Sequence, residues 1–358
     1  MSIETLLMDK LWMDPQKCLH GRHKDYQEHP CQDVCPNKAI HLNPLEIDHG
    51  LCDDCGICAG VCRAGALSVK ESFLAEVASQ AASDTGKELR IRCSHAGGRC
   101  TSVTCLGALD YAFFAGLCIK GSKDLRLLAR DCEGCQKALG GELARAAVNT
   151  ANDILSLYGR KERVLLTESA DRQDLESGSR RAMFRGMGRT IKRFIPEMDQ
   201  AGHTRDEGPI PARMIRAIKM IEGLEEGHVR RAYDMRMPFN GKEIDAARCD
   251  VCSGAPKCVR FCPTDALEFS ADGDVASIFF NSCRCIGCGL CQTACNEHAV
   301  SSFPLLSGQI EELRRPRSLV CFEAQVCEGC GRTGMGMSDG VCQDCRQRMR
   351  KLAWESVG

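Results

Sequence analysis

The sequence lacks long apolar runs and any excess of one charge. No window approaches the roughly 18 consecutive apolar residues of a membrane-spanning helix. The first residues show neither the basic nor the apolar region of a secretory signal, so we expect a cytoplasmic protein without a membrane span. The 47 basic and 48 acidic side chains nearly cancel, and total charge therefore gives no reason to expect a nucleic-acid partner.

Catalytic signatures are also scarce. The sequence has no H-E-x-x-H zinc-peptidase motif, and its glycine-rich segment at 331–336 is followed by no Walker lysine. Nearly every cysteine has spacing typical of a metal ligand, which leaves few thiols for nucleophilic catalysis. We therefore predict no catalytic residue.

Cysteine is abundant and unevenly distributed. Of the 27 cysteines among 358 residues, 13 lie between Cys18 and Cys135, none from 136 to 248, and 14 between Cys249 and Cys345. In a reducing compartment, closely spaced thiols favour metal binding over disulfides, and an odd total argues against complete pairing. The sequence therefore predicts two metal-binding regions that flank a metal-free bridge.

An internal repeat defines these regions. CQDVCPNKAI at 31–40 recurs as CVRFCPTDAL at 258–267, and CDDCGICAGVC at 52–62 recurs as CIGCGLCQTAC at 285–295. Three thiolates spaced i, i+3 and i+6 can hold three corners of one cubane cluster, while the next cysteine points toward a second cluster. Zinc is the alternative, but it needs only one isolated set of four thiolates.

Residues 18–70 and 249–302 resemble dicluster bacterial ferredoxins. In that family the fourth cysteine of each run binds the other cluster. The resemblance implies three complete [4Fe-4S] sites, with the following ligands: Cys35, Cys52, Cys55 and Cys58; Cys262, Cys285, Cys288 and Cys291; Cys249, Cys252, Cys258 and Cys295.

A fourth site in the first repeat is incomplete. It contains Cys18, Cys31 and Cys62, but Glu28 stands where the pattern expects a cysteine. A nearby histidine or carboxylate could be the fourth ligand, or a three-cysteine cluster could lose an iron. The site could equally be degenerate or empty.

Residues 88–167 alternate between strand and helix patterns. Strands are predicted at 88–92, 102–106, 124–130 and 163–167, with one helix after the second strand and one after the third, which favours a small parallel sheet. In the last helix, the predicted apolar face is Leu139, Leu143, Ala146, Thr150, Ile154 and Leu157. The strand ends would gather Cys93, Cys105, Cys132 and Cys135 at one sheet edge, as another iron–sulfur site.

The segments CLGALD and DCEGC resemble the delta subunit of methyl-viologen-reducing hydrogenases. That resemblance implies a flavodoxin-like iron–sulfur module that passes electrons to heterodisulfide reductase. Cys100 is a spare thiol near this site, whereas Cys118 lies in an apolar helix and is predicted to be a core residue.

The bridge and the tail complete the chain. Two helices are predicted in the bridge, one with an apolar stripe from Met183 to Phe194 and one with Met214, Ile218 and Ile221 aligned. The local excess of basic residues could form a docking surface or simply solvated helix faces. Two C-x-x-C pairs in the tail predict a zinc-ribbon-like site, with a further cluster as the alternative, at Cys327, Cys330, Cys342 and Cys345.

These features predict an α+β multidomain protein. We expect a ferredoxin-like module at 1–72, a small α/β domain at 73–176, a helical linker at 177–245, a second dicluster module at 246–304 and a zinc-ribbon-like tail at 305–358. The favoured function is single-electron relay as a subunit of a larger anaerobic oxidoreductase, with a redox protein or catalytic subunit as partner. An enzyme with an open iron position and a redox-sensing or assembly protein are the alternatives.

Overall fold

The computed structural model describes residues 11–84, 86–168, 210–222, 236–309, 313, 315–334, 337, 340–342 and 344–349. The chain forms two compact units, one of Met1–Cys18 with Glu28–Met237 and one of Leu19–Gln27 with Pro238–Gly358. The five predicted segments are finer than this division and stay a prediction. Within the described residues, no helix is both long and apolar enough to cross a membrane.

The first repeat segment forms short strands and helices in the first unit. Its elements are β1 (Leu11–Met13), α1 (Pro30–Asp33), β2 (Ile40–Leu42), β3 (Leu45–Ile47), α2 (Ile57–Val61) and β4 (Leu67–Val69). β1 pairs antiparallel with β4, and β2 pairs antiparallel with β3. Cys58 is buried in their small core with Ile40, Leu45 and Leu67, so the hydrophobic core and a predicted site share residues.

A parallel sheet follows in the same unit. The elements are α3 (Glu71–Ser83), β5 (Leu89–Cys93), β6 (Thr101–Val103), α4 (Tyr111–Gly121), β7 (Leu125–Ala129), α5 (Ala138–Leu157) and β8 (Val164–Glu168). The strands run in the order β6-β5-β7-β8, and every pairing is parallel. This confirms the predicted parallel sheet. Asp110 caps α4 by accepting a hydrogen bond from the amide of Phe113 at 2.8 Å.

The predicted apolar face of α5 is wrong in its first half. Leu139 is 43% exposed and Ala146 is also exposed. The buried face instead carries small residues at helical spacing, Gly140, Gly141, Ala144, Val148 and Ala151. At Gly140 and Gly141 the helix backbone lies so close to Cys105, Ile57 and Cys132 that a larger side chain would not fit there.

One helix of the predicted bridge is described. It is α6 (Ala212–Glu222), which packs against α4 with Met214 and Ala217 buried. Met214 was predicted to face inward, whereas Ile218 is only partly buried. The other predicted bridge helix, from Met183 to Phe194, lies outside the described residues, and so does the side chain of Ile221.

The second unit contains the second repeat segment and the tail. Its elements are β9 (Arg236–Ile244), α7 (Lys257–Arg260), β10 (Leu267–Asp272), β11 (Val275–Phe280), α8 (Leu290–Thr293), β12 (Val300–Leu306), β13 (Arg317–Glu323), β14 (Gln325–Val326) and β15 (Thr333–Gly334). β10, β11 and β13 form an antiparallel sheet, and β9 pairs with β12. The mixture of helices, antiparallel pairs and a parallel sheet agrees with the expected α+β class.

Candidate metal centres

One backbone arrangement occurs four times around the repeated cysteines. An amide four or five positions after a cysteine donates a hydrogen bond to its sulfur, at Cys35 (3.3 Å), Cys62 (3.3 Å), Cys262 (3.2 Å) and Cys295 (3.3 Å). The residue three positions after each cysteine is left-handed, with φ of 54°, 69°, 50° and 49° at Lys38, Gly65, Asp265 and His298. The turn folds the chain back over the sulfur so that its amide can donate.

A second hydrogen bond ties each turn to a different part of the sequence. The carbonyl oxygens of Ala39 and Ala66 accept from the amides of Asp48 and Asp14 at 2.8 Å. Ala266 accepts from Asn281 at 2.8 Å, and Ala299 accepts from Asp245 at 2.9 Å. Each donor stands four residues before the first cysteine of a run, namely Cys52, Cys18, Cys285 and Cys249. Each turn is therefore joined to the segment that leads into one of these runs.

The first complete set is buried and crowded. Burial, together with the thiols of Cys55, Cys52 and Cys35, holds the pKa of Cys58 far above its usual range. Burial likewise raises the pKa of Cys55 to about 12. Burial and the neighbouring thiols thus both disfavour the thiolate form of these cysteines when no positive charge is close to them.

The two sets of the second unit adjoin each other. Burial raises the pKa of Cys258 to about 12, and the neighbouring thiols that add to the effect include both Cys249 and Cys291. Burial also raises the pKa of Cys288 to about 12, with Cys291 and Cys285 as neighbours. Cys258 and Cys291 belong to different predicted sets, and their proximity matches the close pair of clusters that the resemblance implies.

The incomplete set also comes together. Burial, then the thiols of Cys62 and Cys18, raises the pKa of Cys31 to about 11. Glu28, at the position of the missing cysteine, forms an ion pair with Arg63 at 3.8 Å. The ion pair holds the Glu28 carboxylate close to Arg63, the residue that directly follows Cys62.

The sheet-edge set lines a small pocket at the carboxyl ends of the parallel strands. Its lining includes Cys93, His95, Cys105, Cys132, Cys135 and Lys137. Sequence reasoning missed His95, whose Nδ1 lies 3.8 Å from Sγ of Cys135. The sequence feature that could have revealed His95 is its position two residues after Cys93, which ends β5. Cys118 is fully buried in the core, as predicted.

Sequence reasoning also missed an ion pair next to the first complete set. Nζ of Lys137 lies 2.6 Å from Oδ2 of Asp53. Burial disfavours the charged form of both groups. The ion pair outweighs this effect, so that the pKa of Asp53 falls and the pKa of Lys137 rises. The pair connects the first complete set with the sheet-edge set, because Asp53 follows Cys52 and Lys137 lies two residues after Cys135.

The four tail cysteines form a compact set, with all four Sγ atoms within 4.8 Å of one another. In the part of the chain that the structure describes, no other group of three or more His, Cys, Asp or Glu ligand atoms is this compact. The amide of Cys342 donates to Sγ of Cys327 at 3.2 Å, and such amide donors lower the pKa of Cys327 to about 6. In the same set, the hydrogen bond with Cys330 and burial raise the pKa of Cys345 to about 12, so the four thiols differ in how readily they ionise.

No protein-family model matches the chain. A segment of 57 residues is 40% identical to the polyferredoxin protein MvhB of Methanothermobacter marburgensis, and it covers 14% of this chain and 14% of that protein. The chain therefore matches only a small part of the relative's length. This partial similarity and the 27 cysteines support the conclusion that the chain is an iron–sulfur protein that transfers electrons. The cluster types, their number and their ligands stay predictions.

Proposed function

We propose that the protein relays single electrons through several iron–sulfur clusters as a subunit of a larger oxidoreductase complex. The fourfold backbone arrangement supports this proposal, because it joins the turns after Cys35, Cys62, Cys262 and Cys295 to segments that lead into separate cysteine runs. Repetition of one local geometry at four places fits paired [4Fe-4S] sites. When bound, such clusters accept and release one electron at a time.

The donor chemistry fits clusters better than single ions at the repeated sites. The repeated sites are rich in cysteine, and among the described residues their sulfur atoms do not form a set as compact as the one in the tail. A multinuclear cluster needs its thiolates farther apart than one tetrahedral ion does. The amides that donate to Cys35 and Cys262 would stabilise the negative charge of a bound cluster and tune its potential.

The sheet-edge set and the tail have different roles in the proposal. Cys93, Cys105, Cys132 and Cys135 would hold a further iron–sulfur cluster, in keeping with the resemblance to the hydrogenase delta subunit. The four tail cysteines would hold a structural zinc ion. The partner would be a redox protein or a catalytic subunit, since no predicted site includes substrate machinery.

Anaerobic purification of the full chain, with iron, sulfide and zinc analysis, tests the proposal. We expect roughly 12 to 20 iron atoms from three to five cubanes and about one zinc ion per chain. Electron paramagnetic resonance of the dithionite-reduced protein should show interacting [4Fe-4S] signals. Excess zinc without labile sulfide would contradict the proposal.

Two neighbouring cysteines provide a matched pair of variants. Cys285→Ser should lose the iron of one cluster, because Cys285 is a predicted ligand. Cys283→Ser should keep it, because Sγ of Cys283 donates to the carbonyl of Leu313 at 2.9 Å and a serine hydroxyl can do the same. Equal iron content in both variants would count against the ligand assignment.

A further inference from the structure

The ion pair of Asp53 and Lys137 lies between two cysteine sets that are far apart in sequence. Asp53 is inside the run of the first complete set, and Lys137 immediately precedes α5 beside the sheet-edge set. Nζ of Lys137 lies 2.6 Å from Oδ2 of Asp53, and the side chains are 13% and 35% exposed, respectively. The Lys137 side chain is thus mostly covered by protein, whereas the Asp53 carboxylate also meets solvent.

Closely packed backbones hold the two cysteine sets together. A Cβ atom on Gly60 would lie 2.4 Å from the carbonyl oxygen of Gly107, and one on Gly107 would lie 2.4 Å from that of Gly140. The helix α2, the turn after Cys105 and the start of α5 are thus in backbone contact. In this packing, Cys55 and Cys105 are buried in one group with Ile57.

Lys137 acts on both sets. Its backbone amide donates to Sγ of Cys135 at 3.4 Å, and its ammonium group interacts with the thiols of Cys55, Cys135 and Cys105. Asp53 accepts hydrogen bonds from the amide and the thiol of Cys55. The two charges are therefore adjacent to ligands of both predicted centres.

We infer that the Asp53–Lys137 pair is a shared charge bridge that sets the reduction potentials of the first complete centre and the sheet-edge centre together. A nearby positive charge stabilises the reduced, more negative form of a cluster, and a negative charge stabilises the oxidised form. Loss of one partner would thus leave an unbalanced charge beside both centres. The inference rests on the proposed function, because it requires clusters at both sets.

Redox titration of the anaerobically purified full chain, followed by electron paramagnetic resonance, tests the bridge. The signals of the two centres are assigned from those lost in Cys55→Ser and Cys105→Ser. Lys137→Met should lower both midpoint potentials, and Asp53→Asn should raise both. The opposite signs separate a charge effect from a structural disturbance, which would not depend on the sign of the charge removed.

Arg145 provides the matched control. It is on α5, forms an ion pair with Glu168 and interacts with the thiol of Cys132 in the sheet-edge set. Arg145→Met should therefore shift the potential of the sheet-edge centre alone. A Lys137→Met shift confined to one centre, or shifts of the same sign in Lys137→Met and Asp53→Asn, would overturn the bridge.

Different results would overturn the proposed function and the charge bridge. A protein without labile sulfide would overturn the proposed function, and the bridge with it. A protein with both clusters, but with potentials that neither Lys137→Met nor Asp53→Asn moves, would overturn only the bridge. If the Lys137→Met protein fails to incorporate clusters, the Asp53→Asn protein is the test. Unchanged midpoint potentials in Asp53→Asn would then contradict the charge bridge.

Discussion

The sulfur atoms of Cys330 and Cys342 lie 3.8 Å apart. Zinc–sulfur bonds of about 2.3 Å in a regular tetrahedron place two thiolates about 3.8 Å apart. The two cysteines come from different C-x-x-C pairs, so this contact brings the two pairs together at the distance that two thiolates on one zinc ion would have.

The first prediction concerns this tail site. Cys330→Ser should lose the zinc and leave the iron content unchanged, because one of four thiolates is removed and the cluster sets are untouched. Metal analysis of the purified protein measures both. Cys321→Ser is the control, since Cys321 is an exposed thiol on β13, and it should retain zinc. Loss of iron in Cys330→Ser would instead favour a cluster in the tail.

The second prediction concerns the sheet-edge set. Cys93→Ser should lose the iron of one centre, because Cys93 ends β5 and lines the pocket shared with Cys105 and Cys132. Cys100→Ser should keep its iron, since the charged neighbours of Cys100 include Arg90 and Arg92 but none of the set. Iron and sulfide analysis measures the difference. If Cys100→Ser loses as much iron as Cys93→Ser, the ligand set is wrong.

Local sequence patterns were sufficient for the parallel sheet. Short apolar strands that alternate with helices have few arrangements, and parallel order follows from the crossover connections. The same rule predicted that Cys93 and Cys105 would meet at one sheet edge. The buried face of α5 was not predictable in this way, because Leu139 looks apolar while Gly140 faces inward for reasons of backbone approach.

The sites show the same division. Spacing was sufficient to propose the cysteine sets, since each run and its turn are local features that the repeat shows twice, and these sets stay a prediction. The contact of Asp53 with Lys137 and the position of His95 depend on distances between segments far apart in sequence. No pattern within either segment encodes such a distance, so only the folded chain reveals it.

The third prediction tests the backbone contact between α2, the turn after Cys105 and α5. Gly107→Ala should destabilise the protein by about 1–3 kcal/mol, because the new Cβ would lie 2.4 Å from the carbonyl oxygen of Gly140. Urea unfolding of the full chain under anaerobic conditions, followed by circular dichroism, measures the loss.

Gly116 supplies the matched control for Gly107. It lies inside α4, and a Cβ there would meet no heavy atom within 4 Å. Gly116→Ala should therefore leave the stability unchanged or raise it by up to about 1 kcal/mol, since alanine is the better helix former. Equal destabilisation by the two substitutions would argue against the close backbone contact.

The fourth prediction concerns the ion pairs that fasten α6. Arg216 contacts the carboxylates of Glu71 on α3 and Asp110 at the start of α4. Burial disfavours its charge, but the two carboxylates more than offset this, so the pKa of Arg216 lies above its usual value. Arg216→Met should cost about 3 kcal/mol of unfolding free energy, because it leaves both carboxylates poorly compensated.

A second substitution separates charge from packing at Arg216. Adding Glu71→Gln to Arg216→Met removes one of the two uncompensated carboxylates, so the double variant should regain part of the lost stability. Arg99→Met, at an exposed position, should change the unfolding free energy by less than about 0.5 kcal/mol. A double variant that is no more stable than Arg216→Met alone would contradict this explanation, since removal of an uncompensated carboxylate should restore stability.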